Sequence, residues 1–305
     1  MLLFFQLLFL CLLVENIRLS KIEIGHFLQN EDIRNTWPRS MLKHCLAPSI
    51  PSTQRDLNCF IHQLGFEQLF VEVLNRHPPI LRFPDFLGED QLNKIEEKLD
   101  NSSNVESMGV EGLVYSSGHR GRQAEGLWLS HEEKEIRPLY RKLRQTLTLN
   151  PAMGEDFLIL SYQQFGHYAP HFDHLEPMPV EYDDGWFAYF GNRLATALLI
   201  VKTAKGSFTT FPNLNLTVGP ERGDLLLWLN SNSNGKREQN ALHAACPILE
   251  GRKIAVSLWI RSNFQNALKC SLKHPSYEPE DLIKRIPYIY EGPEERPDIP
   301  SWVLK

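Results

Sequence analysis

His171 and Asp173 stand two positions apart in Tyr168-Ala169-Pro170-His171-Phe172-Asp173, and His243 follows 70 positions after Asp173 in Leu242-His243-Ala244-Ala245-Cys246-Pro247. Side chains two apart on a strand share a face. A strand here would carry the first imidazole and the carboxylate to one metal, with His243 as third ligand just before another strand. Two imidazoles and one carboxylate leave the remaining positions of an octahedron open. That donor set is the 2-His-1-carboxylate site of non-haem Fe(II) oxygenases, where a bidentate co-substrate and O2 bind side by side. The His-x-Asp pair alone says little, because a strand histidine beside an aspartate is more often a hydrogen-bonded surface pair.

A companion raises its weight. Lys253 comes 10 positions after His243, near the start of an apolar strand-like run. A cation pointing into a barrel is costly to bury unless it meets an anion, and a dicarboxylate co-substrate would supply one. Tyr162, nine positions before His171, could donate a hydrogen bond to the same carboxylate. A solvated strand-end lysine is the plainer alternative for Lys253 taken in isolation. His167 and His174 flank the ligand pair and are expected on the surface or in a supporting role.

The elements that must position these side chains fall into two styles. Leu64, Phe66, Leu69, Phe70, Val73 and Leu74 suit one face of a helix ending before Pro78-Pro79. Leu92, Ile95 and Leu99 recur at helical spacing. Ser130 and Glu133 suggest a capping box before a second helix with Leu139, Leu143 and Leu147, and Pro138 places its start nearer Glu135. After Pro151 the runs shorten to strand length: 157–162, 194–201, 224–229 and 254–260, with turn residues such as Pro212-Asn213 and Gly219-Pro220 between them. Several short strands after two helices predict an α+β fold, a jelly roll with helices packed outside.

The chain has 305 residues, 42% of them apolar, and a formal net charge of -5. That is enough for one sizeable core. It carries no clustered basic footprint, so no nucleic-acid partner is expected. The apolar run Leu2–Val14 is shorter than the roughly 20 residues a membrane span needs; it suits a signal peptide over residues 1–20, with an uncleaved anchor or a buried first helix as alternatives. No later segment is apolar enough to be an integral span. Residues 21–80 are expected as a lead-in, 81–270 as the catalytic domain and 271–305 as a Pro- and Glu-rich tail running over the surface. Cys45, Cys59, Cys246 and Cys270 remain after the signal and allow three pairings. Local pairing, Cys45–Cys59 with Cys246–Cys270, closes the shorter loops; buried free thiols are the alternative. Asn101-Ser-Ser103 and Asn215-Leu-Thr217 are glycosylation acceptors by pattern.

The ordered set Tyr162, Gly166, Tyr168-x-Pro170-His171-x-Asp173, Asn192-Arg193-x-Ala195-Thr196, Gly206, Thr209-x-Phe211-Pro212, Gly223-Asp224, Trp228-x-Asn230, His243-Ala-Ala-Cys246-Pro247, Gly251-x-Lys253 and Trp259 closely resembles the catalytic region of the prolyl 4-hydroxylase alpha subunits. The likeness covers roughly residues 40–275. It implies a double-stranded β-helix core with helices outside. It also implies a procollagen-type proline 4-dioxygenase that couples oxidative decarboxylation of 2-oxoglutarate to hydroxylation of peptidyl proline, using Fe(II), O2 and L-ascorbate. Carried over by position, His171, Asp173 and His243 resemble the iron ligands, Lys253 the residue that pairs the distal carboxylate of 2-oxoglutarate, and Tyr162 its helper. Tyr168, Arg193 and Trp259 fall where the family places residues around the substrate proline or the back of the pocket. The two local disulfides match those of the family's catalytic half.

Further implications are a collagen-like peptide substrate, a protein disulfide isomerase partner and residence in the endoplasmic reticulum lumen. The sequence departs from the family at Gly206-Ser207, where a paired glycine is usual, and at Ile254, where an aromatic commonly follows the lysine. It also has no room for the long N-terminal portions of the vertebrate collagen enzymes, so a compact form like those of nematodes and plants is expected. It ends Trp302-Val-Leu-Lys305 without a recognisable retention signal, so lumenal residence would depend on a partner or on membrane association. Rival readings are oxidation of another residue, such as lysine or proline at C3, oxidation of a non-collagen peptide, a catalytically silent binding module of the same fold, and a zinc hydrolase, which the absence of a His-Glu-x-x-His helix disfavours.

Overall fold

A computed structural model describes residues 24–49, 59–64, 66–109, 121–176, 185–265 and 277–284. The expected signal segment, Cys270 and most of the expected tail lie outside these residues.

Thirteen strands dominate: β1 Cys59–Leu64, β2 Glu67–Asn75, β3 Ile80–Phe83, β4 Glu106–Met108, β5 Arg122–Leu129, β6 Phe157–Tyr162, β7 His167–His171, β8 Arg193–Lys202, β9 Thr209–Phe211, β10 Leu216–Val218, β11 Leu225–Leu229, β12 His243–Ala245 and β13 Lys253–Arg261. All pairings are antiparallel. The order is β1-β2-β3-β11-β8-β13-β6-β5-β7-β12-β9-β10, with β4 beside β5. One strand makes the corner. The C-terminal half of β5 pairs with β6, whereas Arg122 and Gln123 at its start pair with β7. The continuous sheet therefore folds into a major layer and a minor layer that face each other, the jelly-roll, double-stranded β-helix arrangement expected.

The major layer is buried on both faces, which is why its strands read as nearly unbroken apolar runs. On β13, Ile254, Val256, Leu258 and Ile260 join the outer core with Leu199 of β8 and Leu225 and Leu227 of β11. Helix α3 (Glu89–Asp100) and helix α4 (Arg137–Thr146) cover that face with Leu92, Ile95, Leu99, Leu139 and Leu143. Shorter helices precede them, among them α1 (Glu31–Thr36) and α2 (Arg39–Leu42), and α5 (Trp186–Phe190) follows. Alternation turns Lys253, Ser257, Trp259, Thr196 and Trp228 toward the minor layer. Pro138 sits in the first turn of α4, where its missing N–H costs nothing. Ser130 instead caps a preceding turn, accepting from the backbone N–H of Glu132.

Three expectations are corrected. The segment with Leu64, Leu69, Val73 and Leu74 is a β-hairpin, β1 with β2, not a helix. Its β-rich residues bury Leu69, Val71 and Val73 by alternation and leave Phe66 and Phe70 exposed. Through β2, β3 and β11 it extends the major layer, so part of the lead-in belongs to the sheet. The tail does not simply run over the surface: Leu282 and Ile283 insert into the main core, and Ile283 bridges to Leu147. The disulfide joins Cys45 to Cys246, 201 positions apart, in place of Cys45–Cys59 and Cys246–Cys270. The N-terminal helices fold back over the outside of the minor layer. There Phe27, Ile33, Trp37 and Leu42 pack with Ala169 and Ala244, so Cys45 meets Cys246 at a Cα separation of 5.5 Å while Cys59 stays exposed at the outer hairpin.

Candidate functional site

The pairing of β12 with β7 sets His243 directly opposite His171. A register shift in the same ladder pairs Ala245 with Tyr168, so Tyr168 and His171 both turn inward and their rings stack at 3.4 Å. Asp173 lies just past the end of β7 and not within it. The chain after it is clamped by Asn192, whose side chain accepts from the N–H of Leu175 and donates to the Leu175 carbonyl, at 2.8 and 2.9 Å. The three candidate ligands meet: His171 Nε2 is 3.4 Å from Asp173 Oδ1, His243 Nε2 is 3.4 Å from Asp173 Oδ2, and the donor atoms lie within 4.8 Å of one another. Asp173 and His243 are buried and His171 nearly so.

Each imidazole has its other nitrogen fixed. His171 Nδ1 contacts the carbonyl of Ala169 at 2.8 Å, and His243 Nδ1 that of Ala241 at 2.9 Å. A carbonyl only accepts, so Nδ1 carries the proton and Nε2 presents its lone pair to the common centre. Burial, aided by repulsion from His243, lowers the His171 pKa to about 4, so that imidazole is neutral at pH 7. Burial pushes the Asp173 carboxyl up, but the imidazoles, His243 foremost, more than offset this and hold it well below the usual carboxylate range. Two imidazoles that turn Nε2 to a common centre, and one carboxylate, are the donor set that suits a divalent iron ion.

The second cluster follows the same logic. Lys253 is the cross-strand partner of Tyr162, its ammonium nitrogen 5.9 Å from the tyrosine ring centroid. Only 1% of Lys253 is exposed, and its Nζ meets no hydrogen-bond partner among the described residues. Burial lowers its pKa to about 8 and pushes that of Tyr162 to about 12, leaving a phenol that donates. Thr209, inward-facing on β9 and 2% exposed, adds a hydroxyl that also meets no partner there. An orphaned buried cation whose cross-strand partner is a phenol fits the far carboxylate of a dicarboxylic acid whose other end reaches the metal. The residues present therefore fit both Fe(II) and 2-oxoglutarate.

Arg193 and Trp259 come together, though not as free substrate groups. The Arg193 guanidinium lies over the Trp259 ring at 3.9 Å and donates two hydrogen bonds of 2.7 Å to Glu155. Burial works against its charge, yet Glu155 more than offsets this and raises the pKa. Trp128, 44% exposed, packs against Trp259 at 6.0 Å. Arg122 stands over Tyr168 at 5.0 Å. His167 is fully buried beside Trp37, so of its two expected placements, on the surface or in a supporting role, the surface one does not hold. Asn101 and Asn215 are exposed.

Thr196 and Asn230 stand in the ordered set of matching residues with no role assigned to them there, and Glu155 is not part of it. Thr196 Oγ1 donates to Asp173 Oδ2 at 2.6 Å, and Asn230 Nδ2 donates to Thr196 Oγ1 at 2.8 Å. The available signal was a hydroxyl in the middle of the otherwise apolar run Leu194–Val201.

A family profile described as the 2OG-Fe(II) oxygenase superfamily matches residues 157–261, the span that carries every candidate ligand. Prolyl 4-hydroxylase subunit alpha-1 of Caenorhabditis elegans is 26% identical over 254 residues, covering 79% of this chain and 44% of the relative. Probable prolyl 4-hydroxylase 6 of Arabidopsis thaliana is 31% identical over 223 residues, covering 65% of this chain and 75% of the relative. A viral collagen prolyl hydroxylase from Paramecium Bursaria Chlorella virus-1, solved with 2OG, is 20% identical with a TM-score of 0.45, over 60% of this chain and 96% of that one. The chain spans less than half the length of the animal alpha subunits it matches. With the plant relative matched over three quarters of its length, and the metal triad and buried lysine in place, the chain belongs to the prolyl 4-hydroxylase family of 2OG-Fe(II) oxygenases.

Proposed function

We propose that this chain is a peptidyl-proline 4-hydroxylase of the procollagen type, with His171, Asp173 and His243 as the iron ligands and Lys253 as the anchor for 2-oxoglutarate. The observation that carries the reading is the orphaned ammonium of Lys253, buried in the same interior as the triad. Nature rarely buries an unpaired lysine, because desolvation of the charge costs several kcal/mol; an anionic co-substrate removes that cost.

Bound Fe(II) and 2-oxoglutarate supply the oxidising chemistry, in which O2 and decarboxylation to succinate leave one oxygen atom on the substrate. The protein's part is position and exclusion of water. The two Nδ1–H contacts aim the imidazoles at the metal. Lys253 would pair the distal carboxylate, with the Tyr162 hydroxyl donating to it. Tyr168 and Trp259, with Arg193 braced by Glu155, wall the space in front of His171 for the proline ring. No side chain needs to act as nucleophile or general base.

We further assign O2 as co-substrate, L-ascorbate as reductant and a collagen-like peptide as substrate. A signal peptide over residues 1–20 and passage through the endoplasmic reticulum agree with the Cys45–Cys246 disulfide. Protein disulfide isomerase as a partner and glycans on Asn101 and Asn215 complete the reading. Among the described residues no helix is long and apolar enough to cross a membrane.

The test uses protein secreted into an oxidising compartment and incubated with Fe(II), ascorbate and 2-oxoglutarate, with and without a (Pro-Pro-Gly) repeat peptide. Peptide-dependent succinate with a matching gain of one oxygen, absent in His243→Ala, is the expected result. Failure to bind Fe(II) at all would overturn the reading.

A further inference from the structure

Thr196 sits at the centre of one row across the major layer, with Trp228 of β11 on one side and Trp259 of β13 on the other. It is 2% exposed, and between the two indoles its small side chain points at the triad. Its hydroxyl donates to Asp173 Oδ2 at 2.6 Å and accepts from Asn230 Nδ2 at 2.8 Å. The direction of this chain is fixed by chemistry. An amide nitrogen only donates, so the acceptor side of the Thr196 hydroxyl is occupied by Asn230 and its proton must go to the carboxylate. Asn230 is itself held: its backbone N–H donates to Leu194 and its carbonyl accepts from Glu238, and it is 1% exposed.

We propose that Thr196 and Asn230 are positioning residues for the metal, fixing the plane of the Asp173 carboxylate and committing Oδ2 to a hydrogen bond so that the carboxylate serves as a one-oxygen ligand. The inference rests on the oxygenase reading of the triad. Asp173 lies beyond the end of β7, so no strand ladder fixes its side chain as the ladder of β7 and β12 fixes the two histidines. A carboxylate free to turn can present both oxygens to the metal and consume a position the co-substrate needs. The Thr196 hydrogen bond, braced from behind by Asn230, prevents that turn. Groups that orient a metal ligand typically change metal affinity by about 10–100-fold when removed.

The experiment measures Co(II) and Fe(II) binding by the full chain, followed by quenching of Trp228, whose indole lies 4.8 Å from the His243 ring, and by the Co(II) visible spectrum. Thr196→Val keeps the shape but removes the hydroxyl. It is expected to weaken metal binding by about 10–100-fold and alter the Co(II) bands. Thr196→Ser should restore most of the affinity and the native spectrum, which a purely steric role would not do. Asn230→Ala, which leaves Thr196 in place but unbraced, should fall between them and decides the matter if Thr196→Val does not fold. Native affinity and an unchanged spectrum in Thr196→Val, or in Asn230→Ala, would overturn the proposal while leaving the oxygenase reading intact. Failure of the native chain to take up either metal would remove both.

Discussion

Lys253 and Tyr162 are cross-strand partners in the pairing of β13 with β6, and together they bring a phenol and an ammonium with no hydrogen-bond partner among the described residues into the interior beside the apolar cluster of Leu160, Ile248 and Trp259. The lysine is there at the expense of stability. Its pKa falls from 10.5 to about 8 through burial. At about 1.4 kcal/mol per unit, that is a penalty on the order of 3 kcal/mol for the charged form at neutral pH. Lys253→Met should therefore raise the melting temperature of the cofactor-free protein by several degrees at pH 7 while abolishing 2-oxoglutarate binding. The sign of the pH effect is opposite to that of a salt-bridged lysine. Between about 8 and 10.5 the unfolded chain binds the extra proton, so native stability relative to the variant rises with pH across that window and the gap closes. Paired melting curves at pH 7 and pH 10 decide this; a Met variant less stable than the parent at pH 7 would show that the ammonium has a partner.

If Lys253 anchors 2-oxoglutarate as proposed, co-substrate binding is proton-linked. A dianion needs Lys253 charged, and that form dominates below its pKa of about 8. Affinity for 2-oxoglutarate should be flat up to about pH 8 and then weaken about tenfold per pH unit, with one proton taken up on binding at pH 9. Calorimetry in two buffers of different ionisation enthalpy reads this directly. Binding without proton uptake at pH 9 would assign the anchor to another residue.

Cys246 stands three positions after His243, and its bond to Cys45 ties the N-terminal helices to the strand that carries this candidate ligand. Mapping of unreduced peptides should recover Cys45 joined to Cys246, and recovery of Cys45 with Cys59 would contradict the fold of the N-terminal segment. Replacing both cysteines by serine removes a loop closure of about 200 residues, with an expected loss of about 3–5 kcal/mol in urea unfolding.

Glu155 accepts from Arg193 twice and also lies 2.9 Å from the Arg261 guanidinium. Glu155→Gln leaves two buried guanidinium groups short of their anion and should destabilise the fold by about 3 kcal/mol. Because Arg193 braces Trp259, the KM for peptide should rise while the affinity for 2-oxoglutarate stays near its native value. A raised requirement for 2-oxoglutarate would mean that Glu155 supports the co-substrate site instead.

Local spacing made much of this legible. The α3 and α4 stripes, Leu92-Ile95-Leu99 and Leu139-Leu143, follow from the helical period, and the four long strands after Pro151 follow from apolar length between turns. His171, Asp173, His243, Lys253 and Tyr162 were named from residue type and spacing, since few chemistries require two imidazoles, a carboxylate and a buried cation in that order. The hairpin of β1 and β2 was misread because leucines and phenylalanines over a short stretch satisfy a helical stripe and a strand alternation alike; only the β3 edge, reached through β11, selects the strand.

What the sequence determined by itself was the set of donor atoms: their identities, their charges and the metal they suit. What the tertiary structure decided was who faces whom. The register of β7 with β12 and of β6 with β13 sets His171 against His243 and Tyr162 against Lys253. The reach of Thr196 to Asp173 across the interior, the double grip of Glu155 on Arg193, and the meeting of Cys45 with Cys246 across 201 positions depend on how the sheet folds over itself at β5. Those contacts join residues far apart in the chain through backbone pairing, which has no period in the sequence, so no local pattern encodes them.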